Sequence, residues 1–152
     1  MKAIMKQTAA PGAELVDVDV PSPGPKDLLI KVKVAAICGT DIHIYDWTKF
    51  AQDRITPPMI FGHEVCGEVV EVGAQVDSHK KGDLVAVETH IPCGQCYQCQ
   101  LGNQHVCEQM AIVGVHTNTL SGSSGSRKRI SISRRSSPLT WPECSSAMHR
   151  VK

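Results

Sequence analysis

The stretch DLLIKVKVAAICGTDIHIYDW, residues 27–47, carries two patterns in succession. In its first half Ile30, Val32 and Val34 alternate with Lys31 and Lys33. Side chains of a strand point to opposite faces in turn, so the alternation predicts a half-buried β-strand over 27–37. The strand then runs into Cys38, Gly39, Thr40, Asp41 and His43. A thiol, a hydroxyl, a carboxylate and an imidazole within so short a span fit two readings. One is a strand end followed by a polar turn; the other is a set of groups around a reacting atom. The segment after Cys38 suits a short helical turn, with Asp41 placed to cap it.

Outward from this stretch the pattern stays mostly β as far as residue 118. LVDVDV (15–20) puts Val16, Val18 and Val20 on one face and Asp17 and Asp19 on the other. PSPGP (21–25) sustains neither helix nor sheet and marks a turn. HEVCGEVVEVG (63–73) and GDLVAVETH (82–90) are β-branched runs bounded by glycines. Short strands at this spacing predict a mainly β fold, a compact barrel or sandwich.

The 152 residues are enough for one domain with a core, and with 4% aromatic residues that core is mainly aliphatic. No apolar run approaches the roughly 20 residues that span a bilayer, and the opening MKAIMKQTAAPGAELVDVDV lacks a signal peptide's apolar block. The expectation is a cytoplasmic protein with no membrane partner. Seven cysteines in that compartment point to metal rather than to disulfides.

Charge divides the chain unevenly. From Ser121 onward seven basic residues face one acid, Glu143, whereas the preceding residues hold nine bases and fourteen acids. SGSSGSRKRISISRRSS (121–137) has eight serines in seventeen residues and too few apolar positions for a core face. A Ser/Arg-rich tail can contact phosphates, yet no aromatic side chain is interleaved for base stacking. We read disorder there in preference to nucleic-acid binding.

CGQCYQCQLGNQHVC holds Cys93, Cys96, Cys99 and Cys107 in a C-x2-C-x2-C-x7-C spacing. Cysteines three apart in a tight turn aim their sulfurs at one point, and the fourth closes a tetrahedron. Four thiolates with no open position make a structural zinc site. Gly94 and Gly102 supply backbone freedom where the loop curls. An iron–sulfur cluster also takes four thiolates; the x7 gap and the lack of a proline after the last cysteine favour zinc. Cys38 stands outside this group, and GHEVCGEVVEVG offers His63 followed at once by Glu64.

Taken in order, AAICGTDIH, GHEVCGEVVEVG and the cysteine lobe resemble the zinc-containing medium-chain alcohol dehydrogenases. Gly62, His63, Glu64, Gly67 and Gly73 match that family's G-H-E-x-x-G-x5-G pattern. ICGTDIHIYDW resembles the family's L-threonine 3-dehydrogenases in particular. The resemblance covers residues 1–118 and implies a GroES-like barrel, the family's zinc-binding catalytic domain. It implies two zinc ions. Cys38 and His63 would hold the catalytic one, with Glu64 as a further ligand or a carboxylate close behind. Cys93, Cys96, Cys99 and Cys107 would hold the structural one. Thr40 and His43 would carry the proton from the alcohol to solvent. Zinc acting as a Lewis acid lowers the alcohol's pKa, a hydroxyl both accepts and donates, and an imidazole titrates near neutral pH. Hydride would pass to NAD, converting L-threonine to 2-amino-3-oxobutanoate. The family members are homo-oligomers.

Other candidates carry less. Cys66 reads as a buried thiol and Cys144 as a cysteine without a companion. His79, His90, His105 and His116 read as solvated or locally hydrogen-bonded.

The chain also departs from the family. Its members are much longer and continue into a Rossmann domain with a G-x-G-x-x-G turn for the dinucleotide. That motif is absent here, and SGSSGS follows no apolar strand. The family pattern stops near residue 118, so residues 119–152 read as a tail foreign to the family. We expect a reading-frame shift near Thr119, a barrel edge left open, a weakly held catalytic zinc and no threonine oxidation by the chain alone. Two rivals stand beside this reading: a fragment of another polyol or alcohol dehydrogenase, and a non-catalytic zinc-stabilised module with a basic interaction tail.

Overall fold

A computed structural model describes residues 1–116 and the backbone of 131–133; the tail expected to be disordered or frameshifted otherwise lies outside the described residues, as does Cys144. Among the described residues the strands form three antiparallel sheets. The first has the order β2-β1-β4, from β1 (Lys2–Lys6), β2 (Glu14–Asp17) and β4 (Met59–Ile60). The second has the order β3-β5-β6-β9, from β3 (Leu28–Ala36), β5 (Glu64–Val72), β6 (Leu84–Glu88) and β9 (Ser131–Ser133). The third pairs β7 (His90–Ile91) with β8 (Ala111–Ile112). Every strand pair among the described residues is antiparallel, so no parallel Rossmann sheet occurs there. Short helices α1 (Gly39–Tyr45), α2 (Lys49–Gln52) and α3 (Tyr97–Gln100) fill the connections. No described helix is long and apolar enough to cross a membrane.

The long antiparallel pair β3–β5 is the spine. Leu28 opposes Val72 at one end and Ala36 opposes Glu64 at the other, with register shifts at Leu29/Ile30 and at Val32/Val34. These irregularities correct one expectation. Val32 does not share a buried face with Val34; it is 52% exposed, and the register shift between them puts Lys33 into β3 as an extra residue, which reverses the alternation at that point. Gly67 explains how tightly the strands approach. A Cβ placed there would stand 2.5 Å from the Lys31 carbonyl oxygen and 2.7 Å from Ile30 Cγ2, distances no side chain tolerates. Strand β2 is likewise shorter than its alternation suggested, ending at Asp17 and leaving Val20 exposed.

The core lies where the helices meet the sheets. Ile44, Ala51, Ile55, Met59 and Val115 form one buried cluster, with Trp47, Phe61 and Ile112 packed against it. Beside it Lys6 is almost completely buried. Its ammonium donates to the carbonyls of Ala10 (2.5 Å), Gly12 (2.7 Å) and Tyr45 (3.1 Å) and lies 5.1 Å from the Trp47 ring. Burial lowers its pKa, and Asp46 opposes that shift. The buried cation therefore ties β1 to the C-terminal end of α1.

Two further expectations change. β9 pairs with β6, Ser133 opposite Ala86 and Ser131 opposite Glu88, so this edge is not left open. Residues 130–133 alternate Ile and Ser, which is a strand period, and β6 otherwise offers unpaired backbone groups. Cys66 is buried, but it is disulfide-bonded rather than a free thiol.

Candidate metal centres

The first centre is assembled by the register of β3 and β5. With Ala36 opposite Glu64, Cys38 leaves one strand where His63 enters the other. Cys38 Sγ lies 3.2 Å from His63 Nε2, and the donor atoms of Cys38, His63 and Glu64 all fall within 4.8 Å of one another. Zinc–sulfur and zinc–nitrogen bonds in a tetrahedron place such atoms about 3.5 Å apart, so the observed gap fits a shared ion with a small adjustment. All three side chains are partly buried.

Asp41 completes this centre in a way sequence reasoning only half found. Cys38 is the N-cap of α1, and the Cys38 backbone N–H donates to Asp41 Oδ2 at 2.9 Å, the capping role expected. The other oxygen, Oδ1, faces His63 Nδ1 at 3.8 Å, and neither atom has a hydrogen-bond partner although both are buried. A ligating histidine commonly donates its second nitrogen to a carboxylate. An imidazole turned with Nε2 to the thiol and Nδ1 to an acid fits that role. The C-x-x-D spacing, read as a helix start alone, concealed it.

Thr40 and His43 both lie on α1, three residues apart and so on one helix face. His43 is exposed, its ring packs on Phe50 with centroids 5.6 Å apart, and its Nδ1 lies 3.3 Å from Thr48 Oγ1. Thr48 was not singled out from sequence.

The second centre is a loop of sulfurs. The donor atoms of Cys93, Cys96, Cys99 and Cys107 lie within 4.8 Å of one another, and Cys96 Sγ stands 3.9 Å from Cys107 Sγ. Tetrahedral zinc–sulfur bonds set that separation at about 3.8 Å. Gly94 and Gly102 take φ of 77° and 84°, the left-handed turns that curl the loop. Backbone N–H groups point at the sulfurs: Cys96 N to Cys93 Sγ at 3.3 Å, Cys93 N to Cys107 Sγ at 3.2 Å and Gln109 N to Cys107 Sγ at 3.3 Å. Such donors favour thiolates. The N–H groups of Cys99 and Glu108 bring the Cys96 thiol down to about 6. Those of Gln95 and Cys96 lower that of Cys93. Burial pushes Cys99 up to about 12.

His79, His90 and His116 make local contacts. His90 Nδ1 lies 2.7 Å from Glu88 Oε1, and His116 Nδ1 accepts from Ile112 N at 3.1 Å. His79 Nδ1 meets Ser78 Oγ at 2.8 Å, while its Nε2 is buried without a partner.

With this geometry in place, the class follows: residues 24–134 match the alcohol dehydrogenase GroES-like domain, and the chain belongs to that family. The match passes the boundary drawn at residue 118. The chain is similar to the L-threonine 3-dehydrogenase of Pyrococcus abyssi, 60% identical over 118 residues, covering 78% of this chain and 34% of that protein. It is 58% identical, over the same shares, to the L-threonine 3-dehydrogenase of Pyrococcus horikoshii. Among solved structures, a Sinorhizobium meliloti 1021 protein described as a candidate zinc-binding dehydrogenase, bound to NADP, aligns with a TM-score of 0.69 at 37% identity, covering 77% of this chain and 33% of that one. The chain spans about a third of the length of the curated relatives it matches.

Proposed function

We propose that this chain is the metal-binding catalytic part of an NAD-dependent L-threonine 3-dehydrogenase, converting L-threonine to 2-amino-3-oxobutanoate. The observation that carries the reading is the approach of Cys38 Sγ to His63 Nε2, with Glu64 within reach, beside a separate four-sulfur centre. Cys38, His63 and Glu64 would hold one zinc with a position open to substrate; Cys93, Cys96, Cys99 and Cys107 would hold the other, closed by sulfur. When bound, zinc supplies Lewis acidity toward the alcohol oxygen and the nicotinamide supplies the hydride acceptor.

The chain's own residues then have distinct tasks. Cys38 and His63 fix the site between two strand ends. Asp41 holds the Cys38 backbone N–H and faces the far nitrogen of His63. Thr40 takes the hydroxyl proton of the substrate, and His43, exposed on the same helix face, passes it to water. The sulfur lobe sets local structure without touching substrate. The reading brings with it a small-molecule substrate, a cytoplasmic setting and association with further copies.

A chimera tests this. Residues 1–118 replace the corresponding third of the Pyrococcus abyssi relative, and NAD reduction is followed with L-threonine. Threonine-dependent turnover that is lost in Cys38→Ser supports the reading. A folded, zinc-loaded chimera that reduces NAD with other alcohols but not threonine overturns the substrate, and one inert toward all alcohols overturns the catalytic assignment.

A further inference from the structure

Thr48 occupies the N-cap of α2, where a threonine hydroxyl ordinarily accepts a hydrogen bond from the helix's own backbone. It makes no such cap bond. Its Oγ1 turns back to α1 instead, 3.3 Å from His43 Nδ1 and 3.5 Å from the His43 carbonyl oxygen, to which it donates. A carbonyl oxygen only accepts, and a hydroxyl has a single proton. With that proton directed at the carbonyl, the oxygen's lone pairs are left for Nδ1, which must then carry the hydrogen. The turn that sets this up is firmly held. Trp47 takes a left-handed φ of 56°, Thr48 N donates to the His43 carbonyl at 3.1 Å, and Gln52 Nε2 donates to the Trp47 carbonyl at 2.9 Å. Phe50 packs against the imidazole ring from α2.

We propose that Thr48 is a positioning residue that fixes neutral His43 as the Nδ1–H tautomer, leaving Nε2 as the bare acceptor. The inference deepens the relay role given to His43, since the bare Nε2 is then the nitrogen that takes up the proton. The tautomer itself is independent of metal and of turnover, so it is testable even if the relay role fails.

The test is long-range nitrogen–proton correlation NMR of the intact chain at a pH where His43 is neutral. The signals are assigned by their loss in His43→Asn, one of seven histidines. Nδ1–H is expected as the major form in the wild type and in Thr48→Ser, which keeps the hydroxyl. Thr48→Val, which loses no cap bond, is expected to shift the tautomer ratio about fivefold toward Nε2–H, the worth of one net hydrogen bond. A wild-type spectrum dominated by Nε2–H overturns the proposal whatever the variants do. So does an unchanged ratio in folded Thr48→Val. If the tautomer is as stated but His43→Asn leaves turnover of the chimera unchanged, the positioning stands and the relay reading falls.

Discussion

Replacing Asp41 by asparagine and by alanine separates two tasks performed by one buried carboxylate. Its Oδ2 accepts from Cys38 N at 2.9 Å. Asparagine keeps an oxygen of the same shape there, so the start of α1 stays capped. Alanine removes the cap, at about 1 kcal/mol, and leaves the part-buried Cys38 N–H unpaired, at about 1–2 kcal/mol more. The other oxygen faces His63 Nδ1 at 3.8 Å. Loss of such a carboxylate behind a ligating imidazole costs about 10–100-fold in metal affinity, or roughly 1.4–2.8 kcal/mol. Asp41→Asn is therefore expected to unfold in urea, with chelator present, within about 0.5 kcal/mol of the wild type, yet to bind zinc at the Cys38 centre at least about tenfold more weakly. Asp41→Ala loses about 2–3 kcal/mol of stability as well. The affinities come from competition against a chromophoric chelator, with the sulfur lobe saturated. Unaltered affinity in Asp41→Asn refutes the role given to Oδ1, and unaltered stability in Asp41→Ala refutes the cap.

Three further outcomes follow from the packing and the electrostatics. Gly67→Ala drives a methyl into the Lys31 backbone and is expected to cost about 2–3 kcal/mol in denaturant unfolding; because β3 and β5 carry the two sides of the first centre, metal affinity there falls with it. Lys6→Met strands three carbonyls now served by one ammonium. A loss of about 2–4 kcal/mol is expected, read as a lowered thermal midpoint; an unchanged midpoint contradicts the anchoring role. In the sulfur lobe, backbone N–H donors hold Cys96 at about 6 and burial holds Cys99 at about 12. At pH 7 the metal-free lobe therefore has Cys96 mainly ionised and Cys99 protonated, and metal, which takes thiolates, must displace the Cys99 proton. Zinc uptake in weak buffer is expected to acidify the solution. Affinity is expected to climb with pH above 6 and to fall more steeply below it, as Cys96 also becomes protonated. Uptake without proton release contradicts this.

Much of the molecule was legible in the chain because its signals are local. Alternating β-branched residues announced β3, β5 and β6, and glycine-punctuated cysteines announced the sulfur lobe, since each depends on neighbours a few positions away. The helix after Cys38 and its Asp41 cap were legible for the same reason. What escaped was set by distant parts of the chain. The change of face between Val32 and Val34 comes from a register shift against β5, and strands of two residues such as β4 and β7 are too short to show a period. Lys6 reads as a surface lysine until Tyr45 and Trp47 fold over it. The second face of Asp41 and the turn of Thr48 toward His43 appear only when strand ends and helices are set side by side.

Zinc content per chain, measured by plasma mass spectrometry on protein loaded with a slight excess of zinc and passed quickly through a desalting column to remove unbound metal, tests the central claim most directly. The account predicts two ions in the wild type and one in each of Cys38→Ser and Cys96→Ser, the two losses being independent. A wild-type chain that holds a single zinc, unaltered by Cys38→Ser, contradicts it.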